Sequence, residues 1–373
     1  MKIVNLVLNN FVNDSRVLKT SRSLARLDHD VKVVALHEAD LPVYEEVGAV
    51  KVHRIPLVTR SWSKRRLVQV IKLTEFILRF TLKYRKVDVL HCNDLNALLI
   101  GCLCKATRPS VRIVYDSHEY AINDVPNQPA SSIKFKYWLE NFLIRYADRV
   151  ITVSDSIANE YARLYNIPKP YLLLNCPIYN EQRKRDLFRE NLGIRSDQAI
   201  FLYQGGLGKG RGIEMLLEAF SGLKSDQNVL VCMGYGSLEP LIQKKAQDSS
   251  TIFFHPAVTP DVLLNYTSSA DYGVSFIEDS CLSYRYCLPN KMFEYLMAGL
   301  PILTSNLYEM QRLVNYEGVG IVADDNTVEG FRRAVIDSLA QDYTAIQRNV
   351  FESRKKYCWE EQEKVLKEVY DAL

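Results

Sequence analysis

The sequence lacks the features that mark membrane-spanning, disulfide-rich and metal-scaffolded proteins. Its 373 residues contain no run of about 18 apolar residues, so we expect no membrane-spanning helix. The chain enters an apolar strand at Lys2 and shows no secretory leader pattern of charged, apolar and small residues. Its eight cysteines are scattered and have no partner histidines, so we predict reduced thiols, no metal site and a cytoplasmic protein.

Positive charge is concentrated in one part of the chain. Residues 51–86 contain eleven lysines and arginines against Glu75 alone, whereas the formal net charge of the whole chain is +3. A concentrated basic segment on a less basic body predicts an anionic partner for that surface. No nucleic-acid reader motif accompanies it, so we expect that nucleic acid is not the partner.

Part of this basic segment has a helical period. Four cations recur every seven residues and would form one positive stripe on a helix, with Lys83 beside it and two phenylalanines flanking it. These residues are Arg65, Lys72, Arg79 and Lys86, with Phe76 and Phe80. Such a helix suits an anionic membrane surface, and residues 134–138 are a candidate for a second contact. The alternative is an ordinary solvated helix face over a buried stripe of leucine and isoleucine.

Apolar strands alternate with amphipathic helices along both halves of the chain. The predicted strands are residues 2–8, 31–36, 50–55, 87–91, 113–115, 150–153, 199–203, 229–233, 252–254, 272–276 and 302–304. Such alternation predicts α/β domains with doubly wound parallel sheets. We predict two Rossmann-like domains, 1–175 and 176–356, joined near residues 175–179 and followed by a last helix within 357–373. Ligands of such sheets bind beyond the carboxyl ends of the strands.

A short helix is predicted between Pro289 and Pro301. Pro289 suits a first helical position, and Gly299 suits the position just after the helix, where φ is often positive. Asn290, Lys291 and Glu294 then share one face of the first turns. The helix N-terminus and Lys291 attract an anion such as a diphosphate, and Glu294 can accept hydrogen bonds from a ribose diol. The alternative is a surface helix with ordinary charges.

A glycine-rich segment follows the predicted strand at 199–203. Five glycines occur within residues 205–212, beginning with Gly205 and Gly206, so the backbone can approach a ligand closely and present its amides to an anion. The spacing does not fit a dinucleotide-binding fingerprint. Arg211 can bind phosphate through two hydrogen bonds, and Lys209 is a second candidate. The alternative is a mobile turn with solvated charges.

The 289–301 segment, preceded by a tyrosine-rich loop, resembles the donor-binding signature of retaining GT-B glycosyltransferases of family 4, in the version typical of bacterial surface-polysaccharide enzymes. The resemblance implies a GT-B fold, whose two Rossmann-like domains face each other across a cleft. It assigns the acceptor to 1–175, the nucleotide sugar to 176–356 and a helix crossing back to 357–373. It further implies hexosyl transfer from a UDP- or GDP-type nucleotide sugar to a lipid-linked saccharide. The enzyme would be cytoplasmic and peripheral on the membrane, and would use neither metal nor other cofactor.

The resemblance also implies roles for individual residues. Arg211 and Lys291 would hold the donor diphosphate, Glu294 the ribose, and His118 a sugar hydroxyl or the acceptor. The remaining donor-binding candidates are Gly205, Gly206, Lys209, His255 and Ala257 through their backbone next to the base, Tyr286 and Asn290. Asp116 and Glu119 are lesser candidates beside His118. Residues 9–14 are candidates either for acceptor contact or for capping the helix that follows.

The chain departs from the family pattern at two positions. Gly206 stands where the family has an arginine, and Tyr286 stands where a Glu-x7-Glu motif ending at Glu294 would have its first glutamate. Glu278 or the residues 283–285 are candidates to replace that glutamate. These departures keep two alternatives open: a GT-B nucleotide-sugar epimerase, or a non-catalytic subunit that binds a nucleotide sugar.

Overall fold

The computed structural model describes residues 1–63 and 65–373, and it divides into two compact units. Unit 1 consists of Met1–Ile122, Gln128–Leu173 and Glu363–Leu373. Unit 2 consists of Asn123–Asn127 and Leu174–Gln362. Lys64 of the basic segment and the side chain of Arg66 lie outside the description. The domain limits expected from the sequence stay a prediction.

Unit 1 is built from eight strands and from helices that connect them. Its strands are β1 (Lys2–Leu6), β2 (Asp30–Leu36), β3 (Tyr44–Val47), β4 (Val50–Ile55), β5 (Val89–Asn93), β6 (Arg112–Ser117), β7 (Arg149–Thr152) and β8 (Tyr171–Leu172). Its helices are α1 (Ser15–Arg26), α2 (Arg66–Lys83), α3 (Asp94–Thr107), α4 (Ala130–Leu143) and α5 (Asp155–Tyr165), with short 3₁₀ turns at Ala121–Asn123 and Ile144–Tyr146.

The sheet of unit 1 has the strand order β3-β4-β2-β1-β5-β6-β7-β8. Every neighbouring pair is parallel except β3 with β4, which run antiparallel at the edge. The sequence did not predict β3, because its residues Tyr44–Val47 include two glutamates and carry little apolar signal. Asp14 caps α1 by accepting a hydrogen bond from the amide of Val17 at 3.1 Å, as one of the two interpretations of that loop expected.

Unit 2 contains six strands, all parallel to their neighbours, in the order β11-β10-β9-β12-β13-β14. The strands are β9 (Ala199–Gly206), β10 (Asn228–Tyr235), β11 (Ile252–Pro256), β12 (Tyr272–Ser275), β13 (Ile302–Thr304) and β14 (Gly320–Val322). The helices are α6 (Leu187–Leu192), α7 (Ile213–Ser221), α8 (Glu239–Gln247), α9 (Pro260–Thr267), α10 (Leu282–Arg285), α11 (Asn290–Ala298), α12 (Tyr308–Glu317), α13 (Val328–Ala340) and α14 (Tyr343–Lys356), followed by α15 (Trp359–Asp371), which continues into unit 1. The predicted α/β class with two parallel-sheet domains is confirmed.

The predicted helix between Pro289 and Pro301 is present as α11, with a small change at its start. Pro289 precedes the helix as its N-cap, at φ −67° and ψ 142°, and Asn290 is the first helical residue. Proline cannot donate a backbone hydrogen bond, so it serves equally well one position earlier. Gly299 ends the helix at φ 85°, as predicted. The candidate residues Lys291 and Glu294 therefore lie in the first two turns.

Helix α2 differs from both sequence interpretations. Phe76 and Phe80 are buried against the unit and do not flank an exposed stripe. Lys72 is buried as well, because its ammonium donates to the carbonyl oxygens of Arg60 at 3.0 Å and Trp62 at 2.8 Å. The continuous positive stripe is therefore wrong at Lys72, and at Lys86, which lies beyond the end of the helix at Lys83. The alternative expected the leucine and isoleucine residues to be buried, but Leu67, Ile71, Leu78 and Leu82 are exposed and Leu73 and Ile77 are only half-buried.

Candidate active site

Lys291 lies over the aromatic ring of Tyr203, at the point where the first turn of α11 meets β9. Its Nζ is 3.5 Å from the ring centroid, a distance at which the face of the ring attracts a cation. Burial, reinforced by the nearby Arg211 and opposed by Glu294, lowers the pKa of Lys291 to about 7. Burial therefore favours the neutral amine of Lys291, whereas an anion bound beside it would favour the charged ammonium.

The glycine-rich loop after β9 brings Arg211 to the same region. The Arg211 guanidinium carbon lies over the Tyr284 ring, 4.9 Å from its centroid, a distance at which the face of the ring attracts the cation. Gly212 has φ 69°, and a Cβ there would lie 2.7 Å from the carbonyl oxygen of Phe276. Only glycine fits this turn, in which Arg211 directly precedes Gly212, the N-cap residue of α7. Lys209, by contrast, is exposed on the loop.

Glu294 is held by a buried residue that sequence reasoning missed. The amide nitrogen Nε2 of Gln204 donates to a carboxylate oxygen of Glu294 at 2.5 Å, and Gln204 Oε1 accepts from the Thr267 hydroxyl at 2.8 Å. Gln204 is 1% exposed, so this hydrogen bond is shielded from water. The sequence does contain a clue to this role, because Gln204 is a polar residue that follows an apolar run within the strand. The arrangement orients the Glu294 carboxylate without neutralising it.

Tyr295 fastens α11 to the sheet beneath it. Its hydroxyl accepts from the Gln204 backbone amide at 3.1 Å and lies 3.0 Å from the carbonyl oxygens of Leu202 and Val274. Gly273 makes room for the ring, because a Cβ at that position would lie 2.2 Å from Tyr295 Cγ. The helix that carries Lys291 is thereby fixed relative to β9 and β12.

The other donor-binding candidates of unit 2 lie at strand ends, in loops or, for Asn290, at the start of α11. His255 is buried, its ring is 4.7 Å from that of Tyr266, and its Nδ1 is hydrogen-bonded to the Pro256 carbonyl at 2.7 Å. The side chain of His255 therefore packs, and any ligand contact there belongs to the backbone. The remaining candidates differ in exposure: Gly205, Gly206, Ala257 and Asn290 are exposed, and Tyr286 is half-buried.

In unit 1, His118 follows the carboxyl end of β6. Its Nε2 is 3.1 Å from Asn93 Oδ1 and 3.6 Å from a carboxylate oxygen of Asp116, and its Nδ1 is 3.8 Å from Asp94. Burial opposes the charged form, but Asp116 and Asp94 outweigh it and raise the pKa of His118. The ring is thus oriented by three neighbours and is well suited to donate a hydrogen bond.

Asp116 acts as a buried anchor beneath His118. Arg16 donates to both of its carboxylate oxygens, at 3.0 and 2.7 Å, and His91 lies 3.3 Å away. These partners overcome the cost of burial and hold the pKa of Asp116 well below its usual range. Asp116 is fully buried, whereas Glu119 is exposed. Sequence reasoning missed Arg16, which is 100 residues away in the chain.

Comparisons with known proteins identify the family. The model of glycosyltransferase family 4 matches residues 15–178, and the model of the group 1 glycosyl transferases matches residues 198–341. The chain is a GT-B glycosyltransferase of the family 4/group 1 type. This glycosyltransferase is similar to an uncharacterized glycosyltransferase of Methanocaldococcus jannaschii, at 23% identity over 94% of this chain and 91% of the relative.

Two further similarities are informative. The glycosyltransferase is 22% identical to a lipopolysaccharide 1,2-N-acetylglucosaminetransferase of Salmonella typhimurium, over 76% of this chain and 71% of the relative. The crystal structure of Anabaena HepE in complex with UDP-glucose superposes with a TM-score of 0.76 at 13% identity and covers 100% of both chains. The structural similarity confirms the predicted GT-B fold.

The described residues meet the requirements of neither a metal-binding cluster nor a membrane-spanning helix. Within residues 1–63 and 65–373, no cluster of three or more histidine, cysteine, aspartate or glutamate side chains is arranged to hold a metal ion. Over the same ranges, no helix of the glycosyltransferase combines the length and apolar character needed to span a bilayer. The eight cysteines are free thiols.

Proposed function

We propose that this glycosyltransferase moves a hexose from a nucleoside-diphosphate sugar of the UDP or GDP type to a hydroxyl of a lipid-linked bacterial surface glycan. The convergence of Arg211, Lys291 and Glu294 beyond the carboxyl end of β9 carries the proposal. Two cationic side chains beside a helix N-terminus suit a diphosphate, and an oriented carboxylate suits a ribose diol. The UDP-glucose in the HepE complex and the name of the Salmonella relative support the donor class and the glycan setting.

In the proposed reaction the anomeric configuration is retained and no metal is needed. The bond between the anomeric carbon and the diphosphate oxygen breaks, and the acceptor oxygen attacks from the same face. The acceptor proton passes to the departing phosphate oxygen, so that charge and atoms balance. Arg211, Lys291 and the start of α11 stabilise the charge that develops on the leaving diphosphate. His118 donates a hydrogen bond to a sugar hydroxyl or orients the acceptor.

The proposal also places the enzyme at the cytoplasmic face of a membrane as a peripheral protein. Its lipid-linked acceptor would lie there, and the basic segment 51–86 would be attracted to anionic headgroups. In α2, Arg79 pairs with Glu75 at 2.8 Å and Lys72 is buried, so the free attraction comes from the ends of the helix. Arg85 and Lys86 are exposed at one end, and Arg65 is exposed at the other.

A nucleotide panel tests the donor site. UDP, GDP, CDP, ADP and dTDP are added to the full chain in a thermal-shift assay, first without and then with magnesium. One nucleotide should raise the melting temperature without metal and so identify the base. A shift that requires magnesium would contradict metal independence. No shift with any nucleotide, on folded protein, would contradict the donor site itself.

Substitution then tests the assignment of residues. Arg211→Ala and Glu294→Ala should each lower kcat/KM for sugar transfer by roughly 100-fold or more, because each removes a charged contact with the donor. Lys245→Ala, which removes an exposed cation of α8, is the control and should leave transfer unchanged. Proton NMR of the product reports the anomeric configuration. Full activity of both variants would show that the site assignment is wrong, and acceptor-independent conversion of the donor would favour the epimerase alternative.

A further inference from the structure

Helix α2 presents apolar side chains on two opposite faces, and only one face is buried. The inward face carries Phe76 and Phe80. The outward face carries five exposed aliphatic residues at helical spacing, of which Leu67 is 80% exposed; the others are Val70, Ile71, Leu78 and Leu82. Scattered apolar residues are ordinary on a protein surface, but a continuous stripe along an 18-residue helix marks an interaction surface.

Helix α4 has a similar outward stripe made of aromatic rings. Phe135, Trp138 and Phe142 of α4 and Tyr146 of the 3₁₀ turn that follows recur every three or four residues and are all exposed, Trp138 to 63%. Three of the rings form a row, with centroids 6.2 Å apart between Trp138 and Phe142 and 5.6 Å apart between Phe142 and Tyr146. The opposite face of the helix buries Glu140 and Leu143. The exposed aromatic rings are therefore not needed to pack α4 against the rest of unit 1.

The two stripes face the same way. The connections from β4 to β5, β5 to β6 and β6 to β7 all step in one direction across a parallel sheet, so right-handed crossovers place α2, α3 and α4 on one face. Contacts between the ends of these helices support this placement. Arg108 at the end of α3 donates to the Tyr84 carbonyl at the end of α2 at 2.6 Å, and Cys102 of α3 lies 3.5 Å from the Leu143 carbonyl of α4.

Exposed cations lie at the ends of the two apolar stripes, and the carboxylates of α2 and α4 are hydrogen-bonded or buried. Exposed cations at the ends of the two stripes are Arg65, Arg85, Lys86, Lys134 and Arg145. Helix α2 contains one acidic residue, Glu75, which accepts from Arg79 at 2.8 Å and from the Thr59 amide at 3.0 Å. Helix α4 also contains one, Glu140, which is buried. Every exposed charged side chain described on α2 and α4 themselves is therefore positive.

We propose that the outward faces of α2 and α4 form a single lipid-inserting surface that enters the interfacial region of an anionic bilayer. In that region aromatic rings lie at the level of the headgroups, aliphatic side chains reach the acyl chains, and cations bind anionic lipid. The side chains of this surface are of these three kinds. A second copy of the same face would bring like charges together, so self-association fits less well. This surface rests on the membrane contact of the proposed function. It adds the insertion of apolar side chains of α2 and α4 to the attraction between the basic segment and anionic headgroups.

Vesicle binding by the full chain tests the inference. Vesicles of phosphatidylglycerol and phosphatidylethanolamine are compared with phosphatidylcholine vesicles by co-sedimentation, at low salt and at about 0.5 M salt. The variants are Leu78→Ser/Leu82→Ser on α2 and Trp138→Ala/Phe142→Ala on α4. The matched control is Ile336→Ser/Leu339→Ser, which removes two exposed aliphatic residues from α13 in unit 2. Because all replaced side chains are exposed, melting temperatures should stay close to that of the wild type.

The expected result is binding to the anionic vesicles that partly survives high salt. Each α2 or α4 double variant should weaken partitioning at least about tenfold, the effect of removing one or two buried apolar side chains. The control should bind like the wild type. In a Trp62→Phe background, Trp138 should shift its fluorescence to shorter wavelength on binding, since Trp359 is buried and should not respond.

Three results would overturn the inference. Binding that vanishes in high salt and is unaffected by the apolar variants would leave the basic-segment proposal standing but exclude insertion. No binding to any vesicle would contradict both. A dimer in solution that both double variants convert to a monomer would assign the face to a second copy of this chain.

Discussion

Replacing Gln204 by leucine should weaken the contact that we propose between Glu294 and the ribose of the donor. The substitution keeps the side-chain volume but deletes the amide that donates to Glu294 at 2.5 Å. Glu294 then loses the buried donor that fixes its orientation. The same substitution removes the acceptor of the Thr267 hydroxyl, which has a second acceptor in the Leu263 carbonyl at 2.9 Å. The damage should therefore be confined to Glu294.

The size of the effect follows from the kind of hydrogen bond. A hydrogen bond to a charged group contributes about 1.5–3 kcal/mol, which corresponds to roughly 10- to 100-fold in a dissociation constant. The loss should appear only in the part of donor binding that depends on the ribose hydroxyls. Calorimetry would measure the Kd of UDP and of 2′,3′-dideoxy-UDP, or of the guanosine pair if the panel selects GDP. The ratio of the two constants should fall by that factor in Gln204→Leu.

Two comparisons make this prediction refutable. Gln204→Glu places a second carboxyl beside Glu294, and the pair should share one proton. The protonated carboxyl can donate the missing hydrogen bond, so the ratio should recover as the pH is lowered from 8 to 6. If the wild type shows no preference for the ribonucleotide, Glu294 does not bind the ribose. If the wild type shows it and folded Gln204→Leu keeps it in full, Gln204 does not position Glu294.

Two other predictions concern buried ionisable groups. Because the pKa of Lys291 is about 7, Lys291 is charged below pH 7 and loses its proton above it. The nucleotide affinity of the free enzyme, measured by calorimetry, should therefore weaken from pH 6.5 to 8.5. Lys291→Arg, which stays charged, should flatten that pH dependence, and an unchanged slope would show that Lys291 is not the titrating group. Glu140 accepts hydrogen bonds from the hydroxyls of Tyr115 at 2.5 Å, Tyr161 at 2.8 Å and Tyr165 at 2.6 Å. Glu140→Leu should lower the free energy of unfolding in urea by roughly 3–5 kcal/mol, because it leaves buried hydroxyls without their acceptor, and a loss below about 1 kcal/mol would contradict this account.

The fold was predictable because its signals are local. Short apolar strands, caps such as Asp14 and the helix-ending Gly299 are all recognised from a few neighbouring residues. The order of strands and the pairing of Asp116 with Arg16 are not local, since each joins segments far apart in the chain. The sequence predicted the helix that carries Lys291 and Glu294, but not the residue on β9 that holds Glu294 in place.

Helix α2 shows a different limit of sequence reasoning. Its period was read correctly as helical, but two faces of the helix are apolar, one aromatic and one aliphatic. Periodicity cannot tell which of two apolar faces turns inward, because that depends on the shape of the surface that receives it. Phe76 and Phe80 fill that surface, and the aliphatic residues are left outside.

The absence of a side chain at Gly273 has a consequence for how this enzyme can diversify. Tyr295 occupies the space beside Gly273 and ties α11 to β9 and β12, so the helix that carries the proposed donor residues is fixed to both strands. Sequence change around the proposed donor site is therefore constrained at position 273, where any side chain would displace the Tyr295 ring and, with it, the helix that carries Lys291 and Glu294.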